Sequence, residues 1–391
     1  MISKNASDYI VFGKPKIEDD EIEEVVDSLK TGWLGTGPKT QAFEKKFREY
    51  IGCRHAIAVN SCTAAMHLSL IAAGVGNGDE VITSPITFAA TANTIVHVGA
   101  KPIFVDVNKD SMNIDEDAIE SAITKKTKAI LPVHFAGRPC EMDRIIEIAE
   151  KHGLNVIGDA AHAIESTKNG KKIGNVGASA CFSFYVTKNI TTGEGGMVTT
   201  NNDEWAEKIR VMSLHGISAD AWERYSWNGF KHYQVLYPGF KYNMTDLQAA
   251  LGIHQLKRIE KNWKIRKKIW ESYQEQLSGL PLILPKEPEE DSKHSFHLYT
   301  PLLDIDMLGI SRDEFQQMLH KRGIGTGIHF ISLHLHPYYK ENFNYGENDF
   351  PNAKFISDRT ISLPLSPALK EQEVEHIITN VKRILKKNLK K

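Results

Sequence analysis

An acid and a lysine, Asp159 and Lys188, each stand at the end of a short apolar run, and together they suggest Schiff-base chemistry. Asp159 closes Asn155-Val-Ile-Gly, which reads as a short buried strand, and Lys188 follows the largely apolar run from Ala178 to Val186. Both are therefore expected at strand ends, where sites are built. A lysine emerging from an apolar segment loses its proton more readily, because desolvation penalises the ammonium more than the free amine. The free amine is the form that attacks a carbonyl carbon. The acid works in the opposite sense. Its negative charge would keep the pyridine nitrogen of pyridoxal phosphate (PLP) protonated, so that the ring can accept electrons from a carbanion. An aspartate at a strand end and a lysine in a polar loop are also common structural features, and spacing alone does not choose between the two readings.

The elements that must position this pair alternate along the chain. Strand-like runs at Ala56-Ile-Ala-Val, Glu80-Val-Ile-Thr, Pro102-Ile-Phe-Val-Asp, Ala129 to His134 and Asn155 to Asp159 are separated by helical patterns over Thr63 to Ala73, Ala89 to His97, Ile114 to Ile123 and Met142 to Lys151. Repeated units of this kind imply an α/β fold with a mostly parallel sheet covered by helices, and ligands beyond the carboxyl ends of its strands. An amphipathic helix is expected before them, with Ile22, Val25, Val26 and Leu29 at helical spacing and Gly32 as its stop. The glycine-rich loop after it, Thr31 to Pro38, exposes Trp33 and could line a site or simply connect. After a helix from Asp203 to Met212, the polar, aromatic stretch from His215 to Phe240 lacks periodicity and is long for a loop. Thr245 then caps a helix running to Leu277, which carries the chain from a large unit, residues 1–255, to a smaller α+β unit, residues 256–391. The smaller unit is expected to hold an acidic, proline-rich connector from Leu280 to Asp291, a strand from Phe296 to Leu303 and a helix from Arg312 to Lys321 opened by the capping pair Ser311 and Glu314.

Three further features bear on chemistry. In Asn60-Ser-Cys-Thr-Ala-Ala, Ser61 or Cys62 can cap a helix whose free first-turn amides suit an anion such as a cofactor phosphate; an ordinary N-cap is the other reading. Phe88, just after a strand and a proline turn, is either core or a face on which a flat ring stacks. The histidines between Gly323 and Tyr339 invite a metal, but no acid or cysteine stands near them at ligand spacing, and none is expected.

Composition bounds the rest. Of 391 residues, 41% are hydrophobic and 25% charged, with a net charge of −1, as in a soluble globular protein without the basic footprint of nucleic-acid binding. The basic run Lys382 to Lys391 reads as a solvated helix end. Four cysteines, Cys53, Cys62, Cys140 and Cys181, lack paired spacing and suit a reducing compartment. The start of the chain shows no signal-peptide pattern and no run reaches the ~20 apolar residues that span a bilayer, so a cytoplasmic location is expected.

The phrases Gly158-Asp-Ala-Ala-His-Ala and Phe182-Ser-Phe-Tyr-Val-Thr-Lys-Asn-Ile-Thr-Thr-Gly-Glu-Gly-Gly-Met closely resemble the DegT/StrS family of nucleotide-sugar aminotransferases. The resemblance runs from Gly32-Trp-Leu to Ser362-Leu-Pro-Leu. It implies a fold-type I PLP enzyme of the aspartate aminotransferase kind, with Lys188 as the Schiff-base lysine and Asp159 beside the ring nitrogen. It also implies that the turn Cys62-Thr63-Ala64 and the Ser183 hydroxyl hold the phosphate, that Phe88 stacks on the ring and that His162 lies near it. Cys62 departs mildly from the glycine or alanine usual there. Asn243 would reach the cofactor phosphate of the neighbouring subunit, which implies a homodimer with shared active sites. Trp33, His329 and Phe330 would face the sugar. The implied reaction has two halves: L-glutamate converts the cofactor to pyridoxamine phosphate, which then aminates the 4-keto carbon of a nucleotide-linked sugar while Lys188 shuttles the proton. The branch that makes UDP-4-amino-4-deoxy-L-arabinose is most similar at His215 to Arg224, around Asn243 and at Gly323 to Phe330, although Thr192-Gly-Glu-Gly-Gly also suits other UDP-4-keto sugar aminotransferases. Two rivals are a PLP-dependent sugar dehydratase, for which the family replaces the lysine with histidine, and a non-catalytic PLP-binding regulator.

Overall fold

A computed structural model describes residues 9–218 and 233–390. Residues 1–8, 219–232 and 391 lie outside the described residues, and with them the start of the chain, Ala219 to Arg224 of the phrase opening at His215, and the last residue of the basic run. The chain runs α1 (Asp19–Thr31), α2 (Pro38–Ile51), β1 (His55–Val59), α3 (Cys62–Ala72), β2 (Glu80–Thr83), α4 (Ala89–His97), β3 (Lys101–Phe104), α5 (Glu116–Ile119), β4 (Thr127–Leu131), α6 (Met142–His152) and β5 (Asn155–Asp159). A small hairpin of β6 (Thr167–Lys168) and β7 (Lys171–Lys172) precedes β8 (Ser179–Ser183), β9 (Gly196–Thr200), α7 (Asp203–Ser213), α8 (Asp246–Lys257) and α9 (Ile259–Leu277). The remainder holds β10 (Leu282–Ile283), β11 (Ser292–Lys293), β12 (Leu302–Leu303), α10 (Arg312–His320), α11 (Pro337–Phe343), α12 (Pro351–Arg359) and α13 (Glu371–Lys387).

The central sheet has the order β1-β9-β8-β5-β4-β2-β3. The strands from β8 through β5, β4 and β2 to β3 pair in parallel, and β9 alone runs antiparallel to both its neighbours. This is the mostly parallel α/β sheet expected from the alternating pattern. Its strands are largely buried because both faces are covered, and the charged exceptions Glu80, Lys101 and Lys128 stand at or near the amino ends of their strands. On one face Phe43 and Phe47 of α2 pack on Phe182 and Phe184. On the other, Leu68 and Leu70 of α3 meet Ile209 and Met212 of α7. A C-terminal core gathers Trp270, Tyr273 and Leu277 of α9 around Phe315, Ile377 and Ile384, and Ile10 from the N-terminal segment joins it.

Several elements differ from the sequence pattern for identifiable reasons. The helix expected over Ile114 to Ile123 shrinks to α5 and one 3-10 turn, because Ile114 bridges to Val107 and the cap falls on Asp115. The helix expected from Thr245 to Leu277 breaks at Arg258 (φ −110°, ψ 15°), whose guanidinium turns to the buried carboxylate of Glu21. Of the strand expected from Phe296 to Leu303, only β12 forms: Phe296 has φ +48°, and Pro301 has no N–H to give to a ladder. Helix α1 forms where expected but faces the other way. Glu21 and Ser28 are its buried residues, Gln255 and Arg258 bind Glu21, and Ile22 and Leu29 are 54% and 58% exposed. Among the described residues no helix is long and apolar enough to cross a membrane.

One buried carboxylate ties α8 to the start of α2. Asp246 accepts from the amides of Gly37 (2.8 Å), Lys39 (3.0 Å) and Thr40 (2.9 Å) and from the Thr40 hydroxyl (2.7 Å), so it satisfies amides that a helix start leaves without intrahelical partners. Asp246→Ala should strand these donors and lower stability by about 3 kcal/mol or more. The urea midpoint measures the loss, and a midpoint equal to that of the parent protein would contradict this account of the α2 start.

Candidate active site

A cavity of about 440 Å³ opens at the carboxyl ends of β5 and β8, and Asp159, Ser183 and Lys188 line it. Ser61, Cys62, Thr63, Phe88, His162, His329 and Phe330 complete much of its wall. Asp159 sits at the end of β5, where its amide donates to the Pro132 carbonyl and its carbonyl accepts from His134. Its carboxylate accepts from the Thr91 hydroxyl at 2.8 Å and from the Ala161 amide at 3.1 Å. Burial nevertheless pushes its pKa up, against the lowering effect of these donors and of Lys188.

Lys188 lies in the turn after β8, with its amide on the Tyr185 carbonyl. Burial lowers its pKa to about 8, against the raising effect of Asp159 and Cys62. The two groups make no ion pair. Desolvation outweighs their mutual attraction on both sides, leaving the lysine close to its nucleophilic form and the carboxylate in want of a cation.

The third corner is the start of α3. Ser61 caps it by accepting from the Ala64 amide at 3.1 Å, and Ala65 donates to the Ser61 carbonyl. Ala64 itself does not line the cavity. The amides of Cys62 and Thr63 have no acceptor among the described residues, so two backbone donors and a helix dipole face the cavity, as an anion requires. Gly196 lets this turn sit against β9: a Cβ there would come within 2.5 Å of the Ser61 carbonyl carbon and 2.7 Å of the Cys62 nitrogen. Ser183 Oγ accepts from the Tyr185 amide at 3.3 Å, which leaves its own hydrogen free for the same anion. The residues present thus fit a phosphorylated cationic ring: amide donors for the phosphate, a desolvated carboxylate for a ring N–H, and a lysine of lowered pKa between them.

Phe88 stands at the N-terminal boundary of α4 and is 64% exposed, its ring forming cavity wall and not core. His162 stacks on Phe330 at 6.3 Å with an interplanar angle of 13°. The Ala136 amide donates to His162 Nδ1, so the ring proton of this neutral histidine belongs on Nε2. Burial pushes His162 well down, and His329 down to about 3. His329 Nδ1 pairs with the Ser362 hydroxyl at 2.7 Å. Its neighbours His334 and His336 have partners of their own, and no cluster of three or more potential metal ligands occurs among the described residues.

Two candidates lie elsewhere. Trp33 is 54% exposed, in the loop that Asp246 anchors through Gly37. Asn243 donates to the Thr36 hydroxyl of that loop at 2.6 Å. Neither lines the cavity of its own chain. Thr91, by contrast, holds Asp159 directly, although the sequence pattern does not single it out. Its one signal is the four-residue spacing of Thr87, just before α4, and Thr91, in its first turn, whose hydroxyls bond at 2.7 Å.

Comparison with known proteins agrees with this geometry. The family model for the DegT/DnrJ/EryC1/StrS aminotransferase family matches residues 15–382. The chain belongs to this family. It is 49% identical over 387 residues to the spore coat polysaccharide biosynthesis protein SpsC of Bacillus subtilis, covering 99% of each chain. Among solved structures it superposes with a TM-score of 0.90 on Spr1654 of Streptococcus pneumoniae, assigned as a sugar aminotransferase and solved in a PMP form; identity is 35%, over 97% of this chain and 99% of that one. A PLP form of Spr1654 matches equally well, with a TM-score of 0.90. PseC of Helicobacter pylori, an aminotransferase of pseudoaminic acid biosynthesis, also gives 0.90, at 30% identity over 97% of this chain and 100% of the other. As a DegT/DnrJ/EryC1/StrS protein, the chain is a PLP-dependent sugar aminotransferase of fold type I.

The lowered pKa of Lys188 has a measurable sign. Because the folded pKa lies below the ordinary 10.5, free amine accumulates as pH rises through about 8. At pH 7 roughly one molecule in ten carries it, against roughly one in three thousand for an ordinary lysine. Competitive acetylation of the cofactor-free protein, read by mass spectrometry at Lys188, should therefore titrate with a midpoint near 8. A midpoint at the value of the surface lysines would contradict the burial argument.

Proposed function

We propose that this aminotransferase moves an amino group from L-glutamate to the 4-keto carbon of a UDP-linked sugar in the cytoplasm, supplying amino sugar for cell-surface polysaccharide. The observation that carries the site assignment is the convergence of Lys188, Asp159 and the α3 turn on one cavity. PLP, when bound, supplies an electron sink for the carbon that gains or loses a proton and carries the amino group between substrates. The Cys62 and Thr63 amides and the Ser183 hydroxyl would hold its phosphate. Asp159, steadied by Thr91, would accept the ring N–H, and Phe88 would offer its face. Lys188 Nζ would act once in each half-reaction: as the free amine it would take the proton from the donor carbon and pass it to the cofactor side, and in the second half it would take a proton from that side and give it to the sugar carbon. His329 and Phe330 would border the sugar side, and His162, stacked on Phe330, would lie near the ring. Lys188 also favours transamination over the dehydratase reading, in which histidine stands at this position.

The polysaccharide assignment draws on the likeness to SpsC. The UDP-4-amino-4-deoxy-L-arabinose branch serves as the guide to the sugar through the phrases at Asn243 and Gly323 to Phe330, and lipopolysaccharide is one destination such a product suits. The proposal includes the division into a large unit, 1–255, and a small one, 256–391, and a homodimer in which Asn243 and the Trp33 loop serve the partner's cavity. Two features support the dimer: neither residue lines its own cavity, and Ile22, Val26 and Leu29 form an exposed apolar stripe at helical spacing beside exposed Trp33 and Leu34.

Lys188→Ala should abolish borohydride trapping of PLP, and retention of trapping would place the Schiff base on another lysine. Glutamate should bleach the visible absorbance of the holoenzyme, which 4-keto sugars from a UDP and TDP panel should then restore. No bleaching overturns glutamate as donor; bleaching without transfer to any keto sugar favours a regulator. Mixing inactive Lys188→Ala and Asn243→Ala subunits should restore about a quarter of parental activity if sites are shared across a twofold dimer. No recovery in verified mixed dimers would overturn the shared site.

A further inference from the structure

Behind Lys188 lies a buried polar chain that the reaction as described does not use. Arg266 of α9 pairs through Nη2 with Glu165 Oε1, and both side chains are essentially inaccessible. The Nε and Nη1 of Arg266 have no acceptor among the described residues, so Glu165 is its charge partner. The other oxygen, Oε2, accepts from Asn189 Nδ2 at 2.7 Å, and the same Nδ2 donates to the Ser295 carbonyl at 3.2 Å. A carboxylate and a carbonyl only accept, which fixes the orientation of the Asn189 amide. Its Oδ1 faces His297 Nδ1 at 2.8 Å, so that nitrogen must carry the proton. The His297 ring lies against His162, with centroids 4.4 Å apart and planes tilted by 34°.

This chain ends at two members of the cavity. Asn189 is the residue after Lys188, and three hydrogen bonds to its side chain fix the backbone from which the lysine extends. His297 backs the ring of His162, whose Nε2–H is set by the Ala136 amide. We infer that Arg266, Glu165, Asn189 and His297 form a positioning network that fixes the Lys188 backbone and the His162 ring from helix α9. The ionisable groups that act on Lys188 or are acted on by it are Asp159, Cys62, His162, His297 and His329. A displaced lysine changes its separation from all of them, so its titration reports the network.

The inference rests on Lys188 being the cofactor lysine, and Lys188→Ala trapping tests that separately. The decisive variant is Asn189→Ala, which cuts the chain next to the lysine and leaves the Arg266 pair intact; Arg266→Met cuts it at the far end. In the holoenzyme, each should shift the pH midpoint of the bound cofactor's visible absorbance in the same direction, by about half a pH unit or more. Each should also raise the PLP dissociation constant about tenfold. Cutting one chain twice should add little, so the double variant should fall well short of the sum. A merely structural staple would lower the melting temperature and leave the midpoint in place, and that result for Asn189→Ala overturns the inference. If Arg266→Met does not fold, Asn189→Ala decides alone.

Discussion

The site depends on a competition between desolvation and charge attraction that desolvation wins. Asp159 and Lys188 share one cavity and have opposite charge, yet burial raises the pKa of the first and lowers that of the second. Had the two met as a close ion pair, the lysine would have kept its proton and lost its nucleophilicity. Lowering it to about 8 favours the free amine by an amount on the order of 3 kcal/mol relative to a solvated lysine. The sheet makes this possible. Its strands are covered on both faces, so their carboxyl ends deliver polar side chains into surroundings from which helices and core have removed most water.

A similar constraint governs the start of α3, proposed above to hold the phosphate, where backbone amides are the free donors. Ser61 consumes the Ala64 amide, so the start of α3 is stable by itself, and it leaves Cys62 and Thr63 free to donate. That arrangement needs the turn to lie almost on β9, and only a glycine at 196 has room for it. Cys62 is tolerated because its backbone faces the cavity while its thiol turns to the Cys181 carbonyl at 3.5 Å. A side chain lost at position 196 and a cap gained at position 61 are thus parts of one constraint.

The parts of this that could be read from the sequence are those where local pattern and tertiary demand coincide. Strand β5 and helix α4 fall within the residues their apolar spacing indicates, and Ser311 and Thr245 cap the helices they precede. Asp159, Ser183, Lys188 and Phe88 reach one cavity because each ends a strand of the same sheet or lies in the segment that follows one. The pattern misled where a distant partner decided. Helix α1 turns its apolar stripe outward because Arg258 and Gln255, more than 200 positions on, hold Glu21 inside. The same arginine breaks the long helix after Lys257. Thr91 is visible only as half of a four-residue spacing, since its meeting with Asp159 depends on how α4 packs beside β5. The pairing of Glu165 with Arg266 spans 101 positions and leaves no local trace.

These long-range contacts connect the two halves of the chain at the lysine. Helix α9 carries Trp270 and Tyr273 into the C-terminal core, and through Arg266 it reaches Glu165, six residues beyond Asp159. From the other end of the chain, Ile10 enters that core, and the Cβ position of Gly13 would fall within 2.9 Å of Thr187, the residue before Lys188. The lysine loop is therefore flanked by the N-terminal segment on one side and by the Asn189 chain on the other. A buried charge such as Arg266 is costly to keep, and well-packed apolar residues could hold α9 in place at least as firmly. What an apolar contact could not supply is direction: Asn189 accepts and donates in one orientation only, and that orientation reaches the lysine backbone and the histidine pair together.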